Sequence, residues 1–217
     1  MGFHRLGIRA ELVQAVTTLG WAAPTGVQQA VIPALLSGED LLVSAQTGTG
    51  KSGSFLLPLL QQLDGVVCSP QTAQALILVP TRELAEQITQ VAQQLATALP
   101  SPPRALLLIG GVDIGAQEEA LAQGAHLLVA TPGRLLELIK RETLCLEQIG
   151  TLVLDEADRL LDMGALNRAQ ALLIAAGHND PEIFRRLFDI ALLEGDEARA
   201  LIVDGMALRH AREILDG

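Results

Sequence analysis

Leu41-Leu42-Val43 runs into Ala45-Gln46-Thr47-Gly48-Thr49-Gly50-Lys51-Ser52, and an apolar, helix-compatible segment from Ser54 to Leu63 leaves it. A strand, a Gly-rich turn, Lys-Ser and a helix start are the parts of a phosphate-binding loop. Glycines let successive backbone N–H groups turn towards one point, and the helix that follows adds the positive end of its dipole there. In this reading the segment from Ala45 to Gly50 cradles the phosphates. Lys51 reaches the outer phosphates as a point charge, and the Ser52 hydroxyl ligates magnesium. The strict pattern has Gly at its first position, where this chain has Ala45. The plainer alternative is a Gly-rich turn that only caps a helix. Gly48, Gly50, Lys51 and Ser52 in register after a strand favour the phosphate loop.

Short, wholly apolar runs alternate with helical patterns on both sides of this loop. The expected strands are Ala75–Val79, Ala105–Ile109, His126–Ala130 and Thr151–Leu154. The expected helices are 6–19, Gly26–Leu36, one opened by Thr81 and striped by Leu84, Ile88, Val91, Leu95 and Leu99, Ile114–Ala122, and Leu135–Lys140. Uninterrupted hydrocarbon in the strands means a parallel sheet covered on both faces, an α/β fold. Polar clusters at 45–52, 80–85, 110–111, 131–134 and 155–158 each follow a strand. Ligands of open α/β sheets bind at the carboxyl ends of the strands. Taken singly, Thr81 and Thr131 read as helix caps, and Arg82 and Arg134 as solvated charges.

Two further positions carry chemistry. Gln28 is either a solvent-facing helix residue or an amide that pairs bidentately with the edge of adenine. Asp155-Glu156 closes a hydrocarbon strand. Magnesium takes one or two carboxylates plus substrate phosphates, so Asp155 would orient its shell and Glu156 would act as general base on the attacking water. The alternative for this pair is an acidic helix N-terminus that complements the dipole.

Composition narrows the class. The 217 residues suffice for one large domain, or one domain plus a small appendage. Hydrophobic residues make up 49% and aromatics 2%, so Leu, Ala, Val and Ile fill the core. A formal charge of −10 argues against a broad basic face for nucleic acid, leaving local contacts through backbone amides and a few arginines. Cys68 and Cys145 stand apart without partners at metal spacing and read as buried thiols of a reducing compartment. No apolar run approaches a membrane span, and residues 1–6 carry no signal-peptide pattern, so a soluble cytoplasmic protein is expected.

Residues from Phe3 to Gly164 resemble the first RecA-like domain of a DEAD-box RNA helicase. The motifs stand in the family's order: Gly20 to Gln28, AQTGTGKS at 45–52, PTREL at 80–84, Gly110-Gly111, TPGR at 131–134, and Asp155-Glu156-Ala157-Asp158. The resemblance implies ATP and Mg2+ as cofactors, and ATP hydrolysis coupled to RNA duplex unwinding. It implies that Gln28 and an upstream aromatic read the base, with Phe3 stacked on adenine. It assigns the RNA sugar-phosphate backbone to Pro80, Thr81, Arg82, Gly110, Gly111, Thr131, Pro132, Gly133 and Arg134. Such contacts are sequence-tolerant. Lys51, Asp155 and Glu156 would be the catalytic set, with Ser52 and Asp155 on the metal. Gly26, Ser52 and Gly53-Ser54 are small departures from the family's usual residues.

The large departure begins at Ala165, so a RecA-like ATP-binding domain is expected over 1–165 and a mainly helical tail over 166–217. The family continues there to a strand ending in Ser-Ala-Thr, a tripeptide this sequence lacks. Nor do these 217 residues contain the family's second RecA-like domain with its arginine finger. Helices are expected at Leu166–Ala176, Pro181–Leu193 and Met206–Leu215, and residues 199–203 read as helix or short strand. The change suggests a truncated or rearranged product, a variant tail being the alternative. By the resemblance, the missing strand lies between the phosphate-loop strand and the Asp-Glu strand. Either residues 200–203 substitute for it, or the sheet is gapped. Little ATPase activity and no unwinding are then expected of this chain alone. A non-catalytic nucleotide- or RNA-binding fragment, docked on a protein partner through 166–217, is the competing reading.

Overall fold

The computed structural model describes residues 2–46, 48–146, 148–160 and, as backbone, 199–204. The expected tail helices lie outside these residues, as do most of the proposed docking segment 166–217 and Thr47. A 3₁₀ turn at Phe3–Leu6 precedes α1 (Ala10–Thr18) and α2 (Gly26–Leu36). The chain then alternates through β1 (Leu41–Ser44), α3 (Lys51–Leu63), β2 (Ala75–Leu78), α4 (Arg82–Ala96), β3 (Ala105–Leu108) and α5 (Ile114–Ala122). It continues through β4 (Leu127–Ala130), α6 (Pro132–Lys140), β5 (Thr151–Asp155), α7 (Ala157–Leu160) and β6 (Arg199–Asp204). The expected first helix is thus divided: Gly7, at φ +90°, ends the 3₁₀ turn before α1 begins.

The six strands lie in the order β1-β6-β5-β2-β4-β3. β2, β3, β4 and β5 pair in parallel as their hydrocarbon runs predicted. β6 does not: it runs antiparallel to both β1 and β5. The strand reading of residues 199–203 therefore holds over the helical one, and β6 fills the slot between the phosphate-loop strand and the Asp-Glu strand. The physical reason is direct. An unfilled slot leaves donors and acceptors of two strands unpaired, at about 1–3 kcal/mol for each buried group.

Alternation along the strands divides the core. Ile77, Val129 and Val153 belong to one apolar cluster with α1 to α4, through Leu12, Ile32, Phe55, Leu60, Ile88 and Leu95. Their neighbours Leu76, Leu78, Leu128, Leu152 and Leu154 belong to the other, with Leu121, Leu135, Leu138 and Leu160. Both faces of the sheet are therefore dry across β2, β4 and β5, which is why these strands carry no polar alternation. At the amino ends of the strands, His126 Nδ1 accepts from the Arg104 N–H at 2.8 Å and Nε2 lies 2.9 Å from the Val66 carbonyl. A carbonyl only accepts, so the ring proton sits on Nε2. Among the described residues no helix is long and apolar enough to cross a membrane.

Ile77 is fully buried in the strand between β4 and β5. Ile77→Ala should destabilise the domain by about 2–5 kcal/mol. Urea denaturation checks this, and a loss below that range would mean that the two clusters close over the space.

Candidate functional site

The loop after β1 is bent by Gly48 and Gly50, whose φ angles of +82° and +85° suit residues without a Cβ. Three side chains bond its carbonyls. Lys51 Nζ donates to Ala45 O at 3.0 Å, Thr49 Oγ1 to Gln46 O at 2.7 Å, and Gln28 Nε2 to Gly50 O at 3.0 Å. Gln28 also closes a capping box at the start of α2. Its Oε1 accepts from the Thr25 N–H at 3.0 Å, and Thr25 Oγ1 accepts from the Gln28 N–H at 3.4 Å. At 3% exposure Gln28 is not a solvent-facing helix residue. It fastens the start of α2 to the phosphate loop.

Trp21, within the Gly20 to Gln28 stretch, and Gly53, which the sequence marked only as a small departure, complete this junction. A Cβ on Gly53 would meet Trp21 Cζ3 at 2.7 Å and Gln28 Nε2 at 2.8 Å. A glycine at the third position of a helix that otherwise favours long apolar side chains was the available signal, because Gly costs a helix about 1 kcal/mol relative to Ala. Phe3 lies with its ring centroid 6.5 Å from that of Trp21 and is 4% exposed. It is a core residue adjoining the site, with no free face. An open cleft of about 800 Å³ runs beside the loop, lined by Thr25, Val27, Val31, Ala45, Gln46 and Thr49.

Asp155 ends β5 and is 3% exposed. Burial pushes its carboxyl above the usual carboxylate range, against the opposing pull of the Lys51 charge and the Glu156 N–H at 3.0 Å. Glu156 and Asp158 add to the upward push. Glu156 sits at φ +48°, uncommon for a residue with a long side chain and a recurrent feature of functional turns. Its Oε2 accepts from Arg159 Nη1 at 3.0 Å. The Oδ1 of Asp158 is buried and has no hydrogen-bond partner among the described residues.

A second group lines the same rim. Thr81 caps α4 by accepting from the Leu84 N–H at 3.2 Å. Exposed Arg82 lies across Gly110-Gly111, where a Cβ on Gly111 would collide with its Nη1 and one on Gly110 would sit 3.3 Å from Nη2. Thr131 precedes α6 as its N-cap without a side-chain bond, and Pro132 occupies the first turn. Pro80, Thr131 and Pro132 are buried, while Gly133 is exposed. Arg134 is not the solvated charge that its residue type suggests. At 7% exposure it donates from Nη2 to Val112 O at 3.0 Å and from Nε to Glu137 Oε2 at 3.2 Å, and its Nη1 has no partner among the described residues. It holds the loop that follows Gly111.

The donor set fits magnesium. Among the described residues no three His, Cys, Asp or Glu side chains group into a metal cage. Magnesium bound with a triphosphate needs only one or two carboxylates. Asp155, buried and pushed towards neutrality, is a carboxylate that a nearby cation would favour in its charged form.

Two substitutions follow. Gly53→Ala would raise helix propensity, yet the added methyl must displace Trp21 or Gln28. The melting temperature should fall, whereas a rise of about 1 kcal/mol in stability would show that the junction yields freely. Asp155→Asn should stabilise the protein at neutral pH. Because the folded-state pKa of Asp155 lies above its unfolded value, the penalty of its charge is full above the raised value and vanishes below the unfolded one. The gain should therefore fade as the pH is lowered through that range, which thermal melts across pH will read.

Comparison with known proteins gives a family profile and several named relatives. The profile of the family described as DEAD/DEAH box helicase matches residues 25–185, a span that continues past Gly164, where the motif resemblance stops. The ATP-dependent RNA helicase DeaD of Escherichia coli (strain K12) is 39% identical over 206 residues, covering 91% of this chain and 32% of DeaD. The ATP-dependent RNA helicase DbpA of the same strain is 47% identical over 146 residues, covering 67% of this chain and 31% of DbpA. The ATP-dependent RNA helicase CshA of Listeria monocytogenes is 35% identical over 231 aligned positions, covering 99% of this chain and 44% of CshA. The chain thus spans about a third of the length of the first of these relatives. With the family profile matched over most of its length, the chain belongs to the DEAD/DEAH box helicase family.

Proposed function

We propose that this chain binds MgATP between the phosphate loop and the Asp155-Glu156 pair, and that it couples slow hydrolysis to contact with an RNA backbone. The observation that carries the reading is the loop after β1, bent at Gly48 and Gly50 and leading into Lys51 at the start of α3, whose charge acts on the buried Asp155 carboxyl at the end of β5. The helicase names of its relatives support the choice of ATP and RNA.

In this reading Lys51 exchanges the Ala45 carbonyl for the outer phosphates. The backbone N–H groups of residues 46–50 take the inner ones, Thr47 among them by sequence. Ser52 and Asp155 hold the magnesium, which neutralises phosphate charge. Glu156 accepts a proton from the attacking water, its left-handed backbone turning the side chain away from the strand direction. Gln28 spends one N–H on Gly50 and one lone pair on Thr25. A carboxamide keeps a second of each, enough to pair with adenine. A stack of adenine on Phe3 requires the Phe3–Trp21 contact to open. Arg82, with the backbone at Gly110, Gly111 and Gly133, meets RNA phosphates. Pro80, Thr81, Thr131, Pro132 and Arg134 shape that surface from beneath.

Lys51→Ala should weaken MgATP binding by about 1.5–3 kcal/mol, the usual worth of a bond to a charged group, or roughly 10- to 150-fold. Calorimetric titration measures it, and unchanged affinity would sink the reading. Turnover of this chain alone should stay below about 1 s⁻¹ even with RNA added, the low end for ordinary enzymes.

A further inference from the structure

β6 stands between the two strands that deliver the two halves of the site. Its register sets Arg199 beside Ser44, the last residue before the phosphate loop, and Ala200 beside both Val43 and Asp155. β1 is at the end of the strand order, with β6 as its neighbour. The distance from the phosphate loop to Asp155 therefore spans one interposed strand, about 10 Å at the usual spacing of two ladders. No position in 199–204 carries a motif of the site, yet this backbone sets the gap that a magnesium–triphosphate must bridge.

We propose that residues 199–204 are a positioning strand, whose pairing with β1 and β5 holds Lys51 and Ser52 at the working distance from Asp155 and is in turn strengthened by MgATP. The inference rests on the nucleotide reading above. A ligand that contacts both halves favours the state in which the spacer is paired, and the coupling is reciprocal: whatever loosens β6 weakens the ligand by the same factor. A ligand that touches the loop half alone has no such stake. ATP without magnesium is such a ligand, because Asp155 is reached through the metal. The antiparallel direction adds a structural reason for β6 to be separable. It enters the sheet from a segment distant in sequence from both neighbours, and its removal leaves the parallel ladder β5-β2-β4-β3 intact.

The test uses the full chain and Ile202→Pro, which deletes an N–H from a strand flanked on both sides, with Ile202→Val as the conservative control. In hydrogen exchange without nucleotide, Ile202→Pro should expose the Leu42 and Val43 amides while Ile77 and Leu128 stay protected. In titrations it should weaken MgATP about tenfold or more and leave ATP in EDTA nearly unchanged, and Ile202→Val should match the native chain. MgATP should slow exchange at 201–203 in the native chain and not in Lys51→Ala. Equal losses for ATP with and without magnesium would mean a merely structural role and overturn the proposal. So would unchanged exchange at Leu42 and Val43. Absence of MgATP binding in the native chain would sink the nucleotide reading instead, with the exchange of β1 still deciding whether β6 ties it.

Discussion

Parallel pairing in one register governs where everything else lies. Leu78, Ala130 and Leu154 stand level across β2, β4 and β5, and Leu108 of β3 stands level with Ala130. The residues one or two steps further along each strand therefore meet at one rim. Pro80-Thr81-Arg82, Gly110-Gly111, Thr131 to Arg134 and Asp155-Glu156 are distant in sequence and share that rim because their strands run in one direction and in one register. The hydrocarbon of the two core clusters fixes this register: a slip of one residue would exchange Ile77, Val129 and Val153 with neighbours that face the other cluster.

Much of this was legible before any coordinates. Unbroken apolar runs give parallel strands, Thr81 opens a helix, and a Gly-rich turn before Lys-Ser marks the loop. What escaped the sequence was the destination of particular side chains. Arg134 reads as a surface charge and instead anchors the Val112 carbonyl from within. Phe3 reads as a stacking platform and lies in the core against Trp21. Gly53 reads as a minor departure and is the space into which an indole fits. Each of these depends on a neighbour brought in from another element, and periodicity along a chain holds no information about such neighbours. The direction of β6 is a case between the two. Its apolar run could be read as a strand, but its antiparallel sense is set by where the chain re-enters the sheet.

Carboxylates crowd the rim at the end of β5. Asp155, Glu156 and Asp158 crowd within four residues, and burial works against the charge of the first. One lysine, 9% exposed, answers them from the facing loop. With a net charge of −10, the molecule as a whole repels polyanions, so any attraction for phosphate is confined to places where backbone amides, a lysine or an arginine are presented. This restricts recognition of a nucleic acid to short-range contact, with little long-range steering.

The placement of Trp21 has an optical consequence. The chain contains one tryptophan and no tyrosine, so near-ultraviolet emission originates almost wholly from a single indole. That indole lies against Gly53 in the first turn after the phosphate loop, beside the Gln28 amide and the Phe3 ring. The unlabelled protein is therefore its own local probe. Its fluorescence reports the packing of the nucleotide junction and is nearly blind to the far ends of the sheet, so an emission change on adding a ligand can be assigned to one place in the molecule.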